Sequence, residues 1–149
     1  RAVAAHLAGM QVGEHVLCTA PHWTSPQIPQ SLTVRIPVLL GRGLGIAPLL
    51  SLLHEYAAQP APVWLYHEAG EHDPQALLRE ARALAAGNSG IHLREGTSAL
   101  LDSASICRGI PPEQAEFHIA GPDDFVKRMV RELNAACPVS AIRIVQNLG

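Results

Sequence analysis

Short unbroken runs of apolar residues, each followed by a stretch of helical periodicity, recur along this chain and constrain its fold more than any other feature. Residues 36–40 (Ile-Pro-Val-Leu-Leu), 61–66 (Ala-Pro-Val-Trp-Leu-Tyr) and 116–120 (Glu-Phe-His-Ile-Ala) are bounded by Pro, Gly or charge. A continuous rather than alternating run is the pattern of a parallel strand covered on both faces. Leu49, Leu50, Leu52, Leu53, Tyr56 and Ala57 follow the first run at helical spacing. Leu77, Leu78, Ala81, Leu84 and Ala85 follow the second, with Asp73 as the expected N-cap and Pro74 at the first helical position. A last helix places Phe125, Val126, Met129, Val130 and Leu133 on one side and Lys127, Arg128, Arg131 and Glu132 outward. Weaker strands at 90–94 and 141–145 bring the total to five, whereas 96–112 has no clear pattern. Strand alternating with helix predicts an α/β fold, a doubly wound parallel sheet with helices on both faces.

The 149 residues, 48% hydrophobic and 16% charged, suffice for one compact domain with a buried core. A net charge of −2, from 11 Lys+Arg and 13 Asp+Glu, provides no positive field for a polyanion, so nucleic acid is not an expected partner. The apolar stretch 36–53 is almost long enough for a membrane span. Arg42, three glycines and two prolines interrupt it, which makes it a buried strand, turn and helix instead. Cys18, Cys107 and Cys137 are too few and too far apart for a disulfide framework or a C-x-x-C pair, favouring a reducing, cytoplasmic setting. No secretory signal pattern opens the chain, and its first residue, Arg1, points to a piece of a larger protein. Residues 1–33 stand outside the strand–helix rhythm: 12–18 suggests a turn into one strand, and 24–31, with two prolines, a linker. The expected organisation is thus 1–33 followed by a domain over 34–149.

The strongest local feature is Gly41-Arg42-Gly43-Leu44-Gly45-Ile46-Ala47-Pro48, directly after a buried strand and opening a helix. Glycines allow a sharp turn and a close ligand approach, while the helix N-terminus presents N–H groups suited to a pyrophosphate. The spacing is not G-x-G-x-x-G, since Ile46 stands where the third glycine belongs, and a purely structural turn explains the glycines about as well. Position adds weight to a ligand: in an open sheet, ligands sit outside the carboxyl ends where the strand order reverses. A second corner, Gly121-Pro122 with Asp123 and Asp124 behind it, lies at another strand end. Together the corners would face one edge and frame a crevice for a flat ligand.

These two corners resemble the NAD(P)-binding domain of the ferredoxin–NADP reductase superfamily, and the likeness spans roughly residues 10–145. The resemblance implies a sheet of order 3-2-1-4-5. Residues 7–29 resemble the closing strand of that superfamily's flavin-binding barrel, making 1–33 a remnant of a flavin domain. Gly41, Gly43, Leu44, Gly45 and Pro48 would then line the pyrophosphate site, Arg42 would either add a contact to a phosphate or block the groove, and Gly121, Pro122 and Asp123 would flank the nicotinamide and its ribose. The implied activity is hydride transfer from NAD or NADP in reduced form to FAD or FMN on the preceding domain. Single electrons would then pass to an iron–sulfur or heme partner. The superfamily commonly has Gly at 42, Thr at 44 and Cys at 120, where this chain has Arg42, Leu44 and Ala120. Ser98 matches a serine that meets the 2′-phosphate of NADP, but no Arg follows it and Glu95 would repel a phosphate, which favours NAD; Arg94 weighs the other way.

Other constellations are weaker. His67 and His72 flank Glu68 and Glu71 without the spacing of H-E-x-x-H, so solvent-facing loop residues are expected rather than a metal site. Ser51, Ser98 and Ser103 lack a G-x-S-x-G elbow, and no Walker-type Gly-Lys-Ser/Thr is present. Trp23 and Trp64 are expected to be packing residues. Arg42, Ala120 and residues 145–149, which lack the superfamily's aromatic-ended C-terminal segment, leave open a second reading, a degenerate reductase-like module with a regulatory or docking role and no turnover.

Overall fold

A computed structural model describes residues 35–98, 102–111, 113–136 and 141–147. The expected flavin-domain remnant and linker, residues 1–33, lie outside the described residues, as does Trp23. The chain forms β1 (Ile36–Arg42), a 3-10 turn (Gly43–Gly45), α1 (Ile46–Ala57), β2 (Val63–Glu68), α2 (Gln75–Gly87) and β3 (Ile91–Gly96). It continues with α3 (Ser103–Arg108), β4 (Ala115–Gly121), α4 (Asp123–Ala136) and β5 (Ala141–Asn147). The five strands order as β3-β2-β1-β4-β5 and every neighbouring pair is parallel. This is the expected doubly wound sheet.

Strand residues alternate between two cores because successive side chains point to opposite faces. Leu39, Leu65 and Ile91 pack with α1 and α2 through Ile46, Leu49, Leu53 and Leu78. Val38, Leu40, Phe117 and Ile119 pack on the other face with Ile106 of α3 and with Phe125, Val126, Met129 and Leu133 of α4. Helix α1 buries Ile46, Pro48, Leu49, Leu50, Leu52, Leu53 and Tyr56 and has no side-chain cap at its start. A cap is worth about 1 kcal/mol, whereas each large apolar side chain buried contributes roughly 1.5–3 kcal/mol, so packing holds this helix in place. The stretch 36–53 is strand, turn and helix as expected, and no helix among the described residues is long and apolar enough to cross a membrane.

Several local expectations are corrected. The central strands run further than their apolar runs: β1 continues through Arg42 and β2 through Glu68, with Gly41 opposite His67 and Arg42 opposite Glu68. Ladder hydrogen bonds from the neighbouring strands carry polar residues into the sheet there. Asp73 does not cap α2: the residue before that helix is Pro74, and the Asp73 carboxylate instead accepts from the Gly70 N–H at 2.9 Å. The unplaced stretch contains α3, started by Asp102, whose carboxylate accepts from the Ser105 N–H at 2.6 Å. Arg128, expected to face outward, folds over the Phe125 ring, 5.6 Å from its centroid. Cys107 on α3 is disulfide-bonded, against the expectation from cysteine spacing. Trp64 does pack, stacking on His92 at 4.3 Å and on Tyr66 at 6.1 Å between ring centroids.

One buried polar contact seats α1 on β4. The Tyr56 hydroxyl lies 3.2 Å from His118 Nε2. Burial pushes the Tyr56 phenol up to about 12, while burial, opposed by Glu116 and aided by Arg143, pulls the His118 imidazole down to about 4. A protonated phenol therefore donates to a neutral ring. Because the folded state resists protonating His118, neutral His118 contributes its full stability above the ordinary value of 6.5 and loses it as pH falls toward 4. Urea denaturation is expected to show the chain losing on the order of 2–3 kcal/mol more than His118→Gln between pH 6.5 and pH 4. Parallel pH profiles for the two proteins would overturn the assignment.

Candidate functional site

Strand β1 lies between β2 and β4, where the strand order reverses, and β1 and β4 end together with Gly41 opposite Ala120. Beyond Arg42 the chain turns at Gly43, whose φ of 56° is the positive value found among the described residues. A side chain is strained there, yet a Cβ on Gly43 would meet nothing within 4 Å, so open space lies above it. Gly45 is glycine for the opposite reason. A Cβ there would fall 2.1 Å from the Ala120 carbonyl oxygen and 2.7 Å from the Gly121 nitrogen. On the facing corner, a Cβ on Gly121 would stand 2.7 Å from Phe125 Cδ1 and 3.4 Å from the Arg42 carbonyl oxygen. The two glycine corners therefore abut, backbone against backbone.

No side chain caps the 3-10 turn or α1, and no acidic residue stands in the first turn of either. The Ile46 N–H turns back to the Gly43 and Leu44 carbonyls, leaving the amides ahead of it without a side-chain partner. Pro48 lies in the first turn of α1, where its missing N–H costs nothing. Leu44, 63% exposed, stands on the rim.

The opposite rim is charged. Arg42 Nη1 donates to Asp124 Oδ2 at 3.0 Å, and Arg42 Nε is 3.6 Å from Glu68 Oε1. Glu68, 5% exposed, also accepts from Arg128. Asp124, Arg42, Glu68 and Arg128 thus form a line of alternating charge across the ends of β1 and β2 and the first turn of α4. Asp123 pairs with Lys127 one helical turn on, and the Pro122 carbonyl accepts from the Val126 N–H at 3.0 Å.

Of the residues singled out in the sequence, Gly41, Arg42, Gly43, Leu44, Gly45 and Pro48 are brought together with Gly121, Pro122 and Asp123. Ser98 is exposed beyond β3, two strands from β1 along the same edge, about 10 Å away at ordinary strand spacing. Glu95 is not a free charge: Arg82 donates to both its oxygens at 2.8 Å, which removes much of the repulsion expected toward a phosphate. Sequence reasoning missed Glu68 as the shared partner of Arg42 and Arg128, and Asp124 as the other partner of Arg42. The available signal was Arg42 itself, a cation between two glycines at a buried strand end, which calls for a carboxylate. His67 is buried, not solvent-facing, with Nε2 3.2 Å from Asp73 Oδ1, while His72 and Glu71 are exposed. Among the described residues no three His, Cys, Asp or Glu side chains gather as a metal site. Because the Gly45 Cβ would strike backbone while that of Gly43 meets only strain, Gly45→Ala is expected to cost about 3 kcal/mol and Gly43→Ala about 1 kcal/mol. Equal losses in chemical denaturation would refute the close approach.

No protein-family model matches the chain. Flavohemoproteins of Xylella fastidiosa strains 9a5c and Temecula1 are each 28% identical to it over 140 residues, 85% of this chain and 34% of theirs. The chain thus spans about a third of the length of these curated relatives. The structure of the flavohemoglobin from Malassezia yamatoensis with bound FAD and heme matches 77% of this chain and 32% of its own, with a TM-score of 0.57 and 20% identity. The flavohem-like FAD/NAD binding domain of nitric oxide dioxygenase from Vibrio cholerae O1 biovar El Tor matches 75% of this chain and 52% of its own, with a TM-score of 0.54 and 19% identity. The chain is similar in sequence to flavohemoproteins, and it shares with these structures the ferredoxin–NADP reductase-like fold to which its two glycine corners pointed.

Proposed function

We propose that this chain is the NAD(P)H-binding half of a flavoprotein oxidoreductase, with residues 1–33 the end of a flavin-binding domain in the same polypeptide. The observation that carries the reading is the abutment of the two corners, Gly45 against the Ala120–Gly121 peptide, beneath the open space at Gly43. That space, the uncapped start of α1 and the cation of Arg42 suit a pyrophosphate in charge and access. Gly121, Pro122 and Asp123 would flank the nicotinamide and its ribose, and Ser98 is within reach of an adenosine half extended along the edge. The nicotinamide, when bound, supplies a hydride to a flavin, FAD or FMN. What these residues do is orient it and keep its phosphates paired, so their contribution to rate is positional.

A heme acceptor is the partner that the flavohemoprotein similarity supports; an iron–sulfur partner is the superfamily's other option. NAD remains favoured over NADP because no Arg follows Ser98, although pairing with Arg82 weakens the argument from Glu95. The docking-module alternative draws on Arg42, Ala120 and the atypical residues 145–149, but Ala120 is fully buried and the Arg42 side chain is drawn to Glu68 and Asp124. A cytoplasmic setting is the localisation that the cysteine spacing favours.

Ligand-observed NMR with NADH, NADPH and ATP tests the reading. Saturation transfer is expected to NADH more than to NADPH and not to ATP. It should persist in Gly43→Ala and disappear in Gly43→Trp, whose side chain would occupy the open space. Equal response to ATP, or silence toward both nicotinamide nucleotides even with the flavin domain attached, would refute it.

A further inference from the structure

Arg42 stands between two carboxylates of very different standing. The Glu68 side chain is 7% exposed and already bound by Arg128, so it is anchored and its charge is shared. The Asp124 side chain is 73% exposed and stands in the first turn of α4, three residues beyond the Gly121 corner. An ion pair in that setting competes with water and adds little. Arg42 itself is 36% exposed, and among the described residues one of its five N–H donors bonds Asp124 while the 3.6 Å approach to Glu68 is beyond hydrogen-bond range. The guanidinium therefore has donors to spare and one partner it can release. A phosphate oxygen near Gly43 offers a stronger, charge-assisted partner than an exposed carboxylate, and one that a planar fork can take bidentately.

Resting on the proposed function, we infer that Arg42 is a displaceable latch. In the ligand-free protein it is parked on Asp124; when a dinucleotide arrives it stays beside Glu68 and exchanges Asp124 for the pyrophosphate. The four groups Asp124, Arg42, Glu68 and Arg128 sum to no net charge. The incoming diphosphate then meets Asp124 as an unpaired like charge on the rim. Asp124 is accordingly a residue that lowers affinity for the ligand and makes binding dependent on ionic strength, while Arg42 is the specificity residue for the diphosphate.

The test is titration of the 149-residue chain with NADH, ADP-ribose and adenosine. Asp124→Asn is expected to tighten NADH and ADP-ribose about threefold and leave adenosine unchanged. Arg42→Ala should weaken the first two about tenfold, and in the double variant the gain from Asp124→Asn should vanish. Arg42→Lys, which keeps the charge and the pairing with Glu68, covers the case in which Arg42→Ala fails to fold; it is expected to weaken ADP-ribose severalfold through loss of the fork. NADH binding that is lost in Gly43→Trp yet unmoved by Asp124→Asn and Arg42→Lys would overturn the latch and leave the proposed function standing. Failure of the chain and of Asp124→Asn to bind either NADH or ADP-ribose, with the flavin domain attached as well as without it, would overturn both.

Discussion

The close approach of Gly45 to the Ala120–Gly121 peptide is the contact on which the rest of this site depends. A single Cβ placed 2.1 Å from a carbonyl oxygen cannot be accommodated without moving a strand end. With glycine there, the turn after β1 settles directly on the end of β4, and α1 and α4 both begin at the same edge of the sheet. Two helix N-termini and two glycine backbones then meet at the point where the strand order reverses, the place where open sheets of this kind have their ligand crevice. The open space at Gly43 follows from the same turn: the positive φ carries the chain up and away from the edge before α1 begins.

Charge is distributed around that crevice unevenly. One rim, the start of α1, has no side-chain cap and no acidic residue in its first turn, and carries the exposed Leu44. The other has the Asp124–Arg42–Glu68–Arg128 line. Burying the Glu68 carboxylate would be costly alone, and two guanidinium groups offset that cost. Further down the sheet on the opposite face, the neutral Tyr56–His118 contact joins α1 to β4 without adding a charge. The polar investment of the fold thus has two roles, one at the edge that a ligand would meet and one beneath it that fixes the helix bordering the crevice.

The architecture was legible in the sequence because it follows from periodicity. Unbroken runs such as Ile36 to Leu40 need cover on both faces, the stripe from Leu49 to Tyr56 needs a sheet to lie on, and only alternating strands and helices satisfy both. The glycine corners were legible too, since glycine is used where backbone must turn or touch. Strand ends were not: Gly41, Arg42, His67 and Glu68 belong to β1 and β2 through ladder pairing with neighbours far away in sequence, which no local pattern records. The same limit hid the partners of single charges. Glu95 looked free until Arg82 was beside it, and Asp73 looked like a cap until it turned back to Gly70.

What the sequence by itself determined is therefore the set of elements, their layering and the position of two glycine turns, all consequences of short-range spacing and residue type. Only the tertiary structure decided that the turns touch, that Gly43 opens to space while Gly45 meets a peptide, and that Arg42 lies between a buried and an exposed carboxylate. The reason is physical: contact distances and ion pairs between residues some eighty positions apart depend on how strands register and helices seat, and those are set by the packing of the whole sheet.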